Sequence, residues 1–254
     1  MILAAVAEQE LLECRDFVTT RLEEWFRDPS ATEMNRRRAG KALKFTAALG
    51  LLPRGCIGWT RMLLDQHEHN LVIHNVARLY ATLCARSVKD CVAVMDEGGL
   101  HQIFRLCRAA RAGPEAKSNA ALALAHCVLV DSTRVANEGA MRGKEKGKKI
   151  VRPVFQCVLK LQGTDSSHEV QKCCACIIAA LALDRAVNMT IIQQAVPLLM
   201  SMCDTEDGEV KDLCVLAFQA FPEEIVHYLV SEWWKQWELE NEDPMVLFER
   251  KIQE

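Results

Sequence analysis

The stretch KCCACIIAAL, residues 172–181, places Cys173, Cys174 and Cys176 within four positions. Thiols this close could ligate a metal, cycle as a redox pair, or pack a core as small apolar groups. Cys173 and Cys176 form a C-x-x-C, but a structural zinc site needs two more ligands at similar spacing. The sequence has no second C-x-x-C. A redox C-x-x-C belongs in a βαβ setting, and no strand pattern surrounds this one. His67, His69 and His74 in HEHNLVIH include an i, i+2 pair, which points to different sides of a helix and reads as a polar connection between helices. There is no G-x-S-x-G and no H-E-x-x-H. Asp184, Asp204 and Glu206 fall where inter-helix turns are expected, and polar residues belong there in any case. The expectation is a chain with no catalytic residue, no cofactor and no metal.

Two basic runs and one aromatic run could bind a partner. RGKEKGKK (142–149) reads as a solvated loop, with an acidic or phosphate contact, or a localisation signal, as the functional alternatives. It is no P-loop, because no G-x-x-x-x-G-K-[ST] register fits. NRRRAGK (35–41) lies where a helix begins, and cations there oppose the macrodipole. VSEWWKQWELENEDPMVLFERK (230–251) holds Trp233, Trp234 and Trp237. Trp233 and Trp237 share a helix face, fit either for closing a helical stack or for anchoring a partner.

The 254 residues, half of them hydrophobic, suffice for a sizeable core. A formal charge of −3 gives no reason to expect nucleic acid or an acidic membrane surface. The twelve cysteines would imply disulfides only in a secretory setting. MILAAVAEQELLECRDF lacks the basic start and long apolar run of a signal peptide. No apolar run approaches the roughly 20 residues of a membrane span. A cytoplasmic location, with the nucleus as a second, is expected.

Helical spacing runs through nearly the whole chain and strand alternation is hard to find. Breaks are expected at Pro53–Gly55, Gly98–Gly99, Gly113–Pro114, Gly139, Gly163–Ser167, Asp204–Gly208, Pro222 and Asn241–Pro244. A frame with a small residue followed by apolar positions at +3, +4 and +7 recurs. It appears as Ala42/Phe45/Thr46/Leu49, Val76/Leu79/Tyr80/Leu83, Ala120/Ala123/Leu124/Cys127, Cys174/Ile177/Ile178/Leu181 and Cys214/Ala217/Phe218/Phe221. Most of the intervals lie near the ~40–47 residues of two- and three-helix repeats. Cys127, Cys174 and Cys214 occupy apolar columns of this frame, so the cysteines are expected to be packing material. The longest interval contains 142–149, which reads as an insertion.

NVARLYATLCARSVKDCVAVMDEGGLHQIFRLC (75–107) and AKSNAALALAHCVLVDSTRVANEGA (116–140) resemble armadillo repeats. The resemblance spans about residues 40–221 and implies an all-α, armadillo/HEAT-like right-handed solenoid that binds proteins along a groove. It implies about five repeats over 35–221, an N-terminal helical cap over 1–28, and a Trp-rich cap and tail over 222–254. The Asn ladder of nuclear-import members is missing from LHQIFRLCRAA, RPVFQCVLKL and VPLLMSMC, so recognition of nuclear signals does not carry over. KSNAALALAHC followed by IVRPVFQCVL is also similar, locally, to the armadillo region of UCS-type myosin chaperones, without their TPR pattern.

Together these features point to a non-catalytic scaffold or adaptor that binds a protein segment, acidic or helical. The alternative is a co-chaperone or assembly factor for a motor-type client. The groove residues are expected on the third helices: His101, Gln102, Arg105, Arg108, Arg111, Arg152, Gln156 and Lys160, with Trp233, Trp234 and Trp237 at the far end.

Overall fold

A computed structural model describes residues 20, 21, 24, 34, 38, 42, 56–66, 70–137, 143–162, 167–183, 189–203, 205–223 and 225–231. Within them the chain forms helices α1 (Cys56–Gln66), α2 (Asn70–Arg86), α3 (Val88–Asp96), α4 (Gly99–Arg108) and α5 (Pro114–Asn137). These are followed by α6 (Gly143–Gln162), α7 (His168–Leu183), α8 (Met189–Cys203) and α9 (Gly208–Ala220). Residues 225–231 are helical again, and no strand occurs among the described residues. The protein is therefore all-α, built from packed helices.

The helices stack in sequence order. α2 packs on α5, α5 on α7 and α7 on α9. A second row runs beside them, with α1 against α4 and α4 against α6. The recurrent frames explain the first row. Val76, Leu79, Tyr80 and Leu83 on α2 are buried, as are Ala120, Ala123, Leu124 and Cys127 on α5 and Cys174, Ile177, Ile178 and Leu181 on α7. On α9, Cys214, Ala217 and Phe221 at its end are buried and Phe218 packs partly against the core. Positions +3, +4 and +7 fall on one face of a helix, and the small residues Ala120, Cys174 and Cys214 start the frames of α5, α7 and α9. Of the first frame only Ala42 is described, and it packs against the core.

Turns form where the chemistry dictates. Ser87 adopts an extended backbone and ends α2; its hydroxyl oxygen accepts from the Asp90 N–H and so caps α3. Gly98 takes a left-handed φ of 82°, which costs an L-residue with a side chain about 1–2 kcal/mol. At Gly99 a Cβ would lie 2.6 Å from Val94 Cγ1 and 2.8 Å from the Val94 carbonyl oxygen. The glycine pair thus turns the chain and lets α4 start hard against α3. Further along, Asp207 accepts from the Glu209 and Val210 N–H groups and starts α9. Lys172 pairs with Glu209, tying α7 to α9.

Two expectations are corrected. Residues 143–149 are not a loop: they form the first turns of α6. Lysine and glutamate are good helix formers, so a charged run can extend an apolar helix beyond its packed part. The armadillo resemblance also implies a short linking helix after each frame: α3 is one, following α2, but α5 runs unbroken from Pro114 to Asn137. The cap expected over 1–28 (apart from Thr20, Arg21 and Glu24), most of the first frame, and Trp233, Trp234 and Trp237 lie outside the described residues.

Candidate functional site

A concavity of about 660 Å³ opens where α1, α2, α4 and α6 meet. Its floor is apolar, from Leu64, Ile73, Phe104, Leu106 and Pro153, and its rim is basic, from His101, Arg105, Arg108 and Arg111. α4 supplies most of the rim. His101, Arg105 and Arg108 follow i, i+4, i+7 spacing and are exposed, while Ile103, Leu106 and Cys107 on the opposite face are buried. Arg111 follows in the turn before α5 and is also exposed.

The arginines differ in how far they are committed. Arg105 forms an ion pair with Asp65 of α1 through Nη1. The same Nη1 donates to Gln102 Oε1 at 3.2 Å, and Nη2 donates to the Leu64 carbonyl at 3.4 Å. Arg105 therefore staples α4 to α1, and Asp65 cancels much of its charge. Arg61 also approaches Asp65, at 3.8 Å. Arg108 lies 5.9 Å from the centre of the Phe104 ring and donates to the Pro153 carbonyl of α6 at 3.4 Å. That stacking holds its guanidinium over the floor while leaving donors for an incoming acceptor.

The structure thus gathers four of the sequence-selected residues, His101, Arg105, Arg108 and Arg111, around one concavity. Gln102 requires correction: it is only 4 % exposed and supports Arg105 from below instead of facing a partner. The helical phase explains the change, because residue 102 falls on the inner face with Leu106. Arg152, Gln156 and Lys160 are exposed at i, i+4, i+8 along α6. They line a stripe beside the concavity, whose α6 lining comes from Pro153. Asp65, Phe104 and Pro153 were not selected from sequence. An aromatic residue four positions before an arginine on one helix could have flagged the Phe104–Arg108 pair, whereas Asp65 lies 40 positions from Arg105 and gives no local signal.

Ten cysteines are free thiols, eight of them buried. Cys174 is fully buried and Cys173 nearly so; burial pushes the thiol pKa of both above the ordinary range, Cys173 to about 12. Partial burial raises the Cys176 thiol as well, so the C-x-x-C pair, Cys173 and Cys176, consists of reluctant thiolates. A different group of thiols comes together across three helices. Cys84 lies in the last turn of α2, Cys91 on α3 and Cys127 on α5; Cys127 Sγ is 3.8 Å from the sulfur of each of the other two. Contacts with Cys127 and then Cys84 hold the Cys91 thiol well below its ordinary pKa, while contacts with Cys84 and Cys91, and burial, push Cys127 up. His74, singled out in HEHNLVIH, is half-buried on α2 and lies 3.6 Å from Glu115, which also meets Arg78 at 3.6 Å. His67 and His69 lie outside the described residues.

No protein-family model matches this chain, and no curated protein matches it. Among solved structures, a crystal structure of an engineered protein is similar over 80 % of this chain and 97 % of its own, with a TM-score of 0.47 and 14 % identity. A likeness at that level carries no argument about fold or activity. No described helix is long and apolar enough to cross a membrane.

Proposed function

We propose that the chain is a non-catalytic binding protein of armadillo-like solenoid architecture, about five repeats long, that holds an acidic protein segment at the α4 concavity. The observation that carries this reading is the apolar floor of about 660 Å³ rimmed by His101, Arg105, Arg108 and Arg111. An apolar anchor flanked by carboxylates complements that arrangement. The floor takes the anchor, and Arg108 and Arg111 meet the carboxylates through charge-assisted hydrogen bonds. Arg105, already paired with Asp65, sets the shape of the rim more than its charge. Because helices on both sides fix the concavity, binding carries little ordering cost for the protein.

Affinity capture from cells with the intact chain, beside Arg108→Glu/Arg111→Glu, tests this reading. An acidic partner recovered by the wild type should weaken at least tenfold with the double variant, since each charged hydrogen bond contributes about 1.5–3 kcal/mol. Lys89→Glu, an exposed cation on α3, should leave capture unchanged. Partners that survive the double reversal refute the concavity as the site.

A co-chaperone role for a motor-type client is the second reading. Its support is the exposure of Val215 and Leu216 on α9 and of Tyr228 beyond it, at 48 %, 51 % and 64 %. That reading requires suppression of client aggregation that is lost in Val215→Ser/Leu216→Ser and indifferent to the arginine reversals.

A further inference from the structure

We propose that Cys84, Cys91 and Cys127 form a three-sulfur site for a thiophilic d10 cation, copper(I) or zinc(II). The three Sγ atoms all lie within 4.8 Å of one another, with two of the separations at 3.8 Å. Metal–thiolate bonds of about 2.3 Å set sulfurs roughly 3.8 Å apart around a tetrahedral centre and about 4.0 Å apart around a trigonal one. Two edges of the triangle thus already have a ligand spacing, and the third needs to contract by at most about 1 Å.

The site is also built as a ligand set should be. Each sulfur comes from a different helix, α2, α3 or α5, and these helices pack on one another. The residues are 3 %, 0 % and 1 % exposed, so the surrounding helices and not solvent set the sulfur positions. Thiol sulfur is the donor in the cluster, which selects soft cations over magnesium or calcium. Ser87 breaks the α2–α3 connection and leaves Ser87, Val88 and Lys89 exposed.

Binding needs no oxidant. Each ligating thiol releases its proton to solvent as the metal–sulfur bond forms. The chemistry leaves two cations to separate. Three thiolates around zinc leave one net negative charge, and around copper(I) two, so the cost of burial favours zinc. Zinc in a structural site usually takes four ligands, and the cluster among the described residues offers three, which favours copper(I).

The experiment loads the intact, reduced chain under anaerobic conditions with copper(I) against bicinchoninate, and separately with zinc(II) against a chromogenic chelator. One equivalent of either metal per chain should resist the competitor. Retention of copper alone identifies a three-coordinate site, and retention of zinc alone a site that recruits a fourth donor; both support the proposal. Cys127→Ser removes the sulfur shared by the two short contacts and should lower affinity at least about tenfold, the lower end for a disturbed metal site. Cys174→Ser, buried elsewhere, should leave affinity unchanged. If Cys127→Ser loses its helical circular dichroism, Cys91→Ala replaces it. The proposal is overturned if the wild type yields both metals to the competitors, or if binding survives in a folded Cys127→Ser or Cys91→Ala chain.

Discussion

The start of α4 offers a sharp test of how the concavity is held, because Gly98 and Gly99 there, and Gly113 just before α5, differ in one physical respect each. Gly99→Ala would place a methyl 2.6 Å from Val94 Cγ1, 2.8 Å from the Val94 carbonyl oxygen and 3.0 Å from Tyr80 Cε1. Val94 and Tyr80 are buried at 2 % and 0 % exposure, and one contact is backbone, so no flexible side-chain end can swing away. Overpacking of this kind costs about 1–3 kcal/mol. Alanine's better helix propensity offsets only part of this at the first residue of α4, which leaves a net loss of about 1–2 kcal/mol. For a chain of this size that lowers Tm by about 2–8 °C. Gly98→Ala meets nothing within 4 Å but inherits a φ of 82°, and should lose about 1–2 kcal/mol from backbone strain alone. Gly113→Ala has neither problem and should be neutral or gain up to about 1 kcal/mol by restricting the unfolded chain. Differential scanning calorimetry of the three variants reads the outcome. In a double-mutant cycle, Val94→Ala should cost less beside Gly99→Ala than in the wild type, since it removes the nearest atom, and should cost the same beside Gly98→Ala. A Gly99→Ala chain as stable as the wild type would refute the claim that close approach, and not the turn, requires glycine there.

Two further tests concern the elements around the concavity. Thr60 donates to the Ile57 carbonyl at 2.7 Å and lies 2.6 Å from the Tyr80 hydroxyl, which therefore donates to it. Tyr80→Phe should cost about 1 kcal/mol, and an unchanged midpoint in urea would show that this bond adds nothing to the α1–α2 contact. Asp90 is held below its ordinary pKa of 3.8, chiefly by the Arg86 hydrogen bond at 2.8 Å and also by Ser87. A depressed carboxyl stabilises the fold above its unfolded pKa, so this contribution should fade as pH drops below about 4. Asp90→Asn should flatten that acid limb and cost no more than about 1 kcal/mol at neutral pH, because the pair is largely solvated; an acid limb identical to the wild type would contradict the assignment.

Local spacing carried most of the all-α character. Leu79, Tyr80 and Leu83, or Ile177, Ile178 and Leu181, can share a buried face only if the chain turns every 3.6 residues, and the structure buries them on α2 and α7. Glycine, proline and capping residues marked the breaks at Gly98–Gly99, Gly113–Pro114 and Asp204–Gly208, because their backbone preferences act without tertiary help. The same local logic placed His101, Arg105 and Arg108 on one face of α4. It failed for Gln102, where one position of helical phase separates the rim from the core, and for 143–149, where a charged run continued a helix. Only the packing of helices decided which residues meet across the chain. Asp65 quenches Arg105 from 40 positions away, Pro153 receives Arg108, and Cys84, Cys91 and Cys127 converge from three helices. Such meetings depend on the register between helices, and the spacing of residues along one helix holds no record of that register.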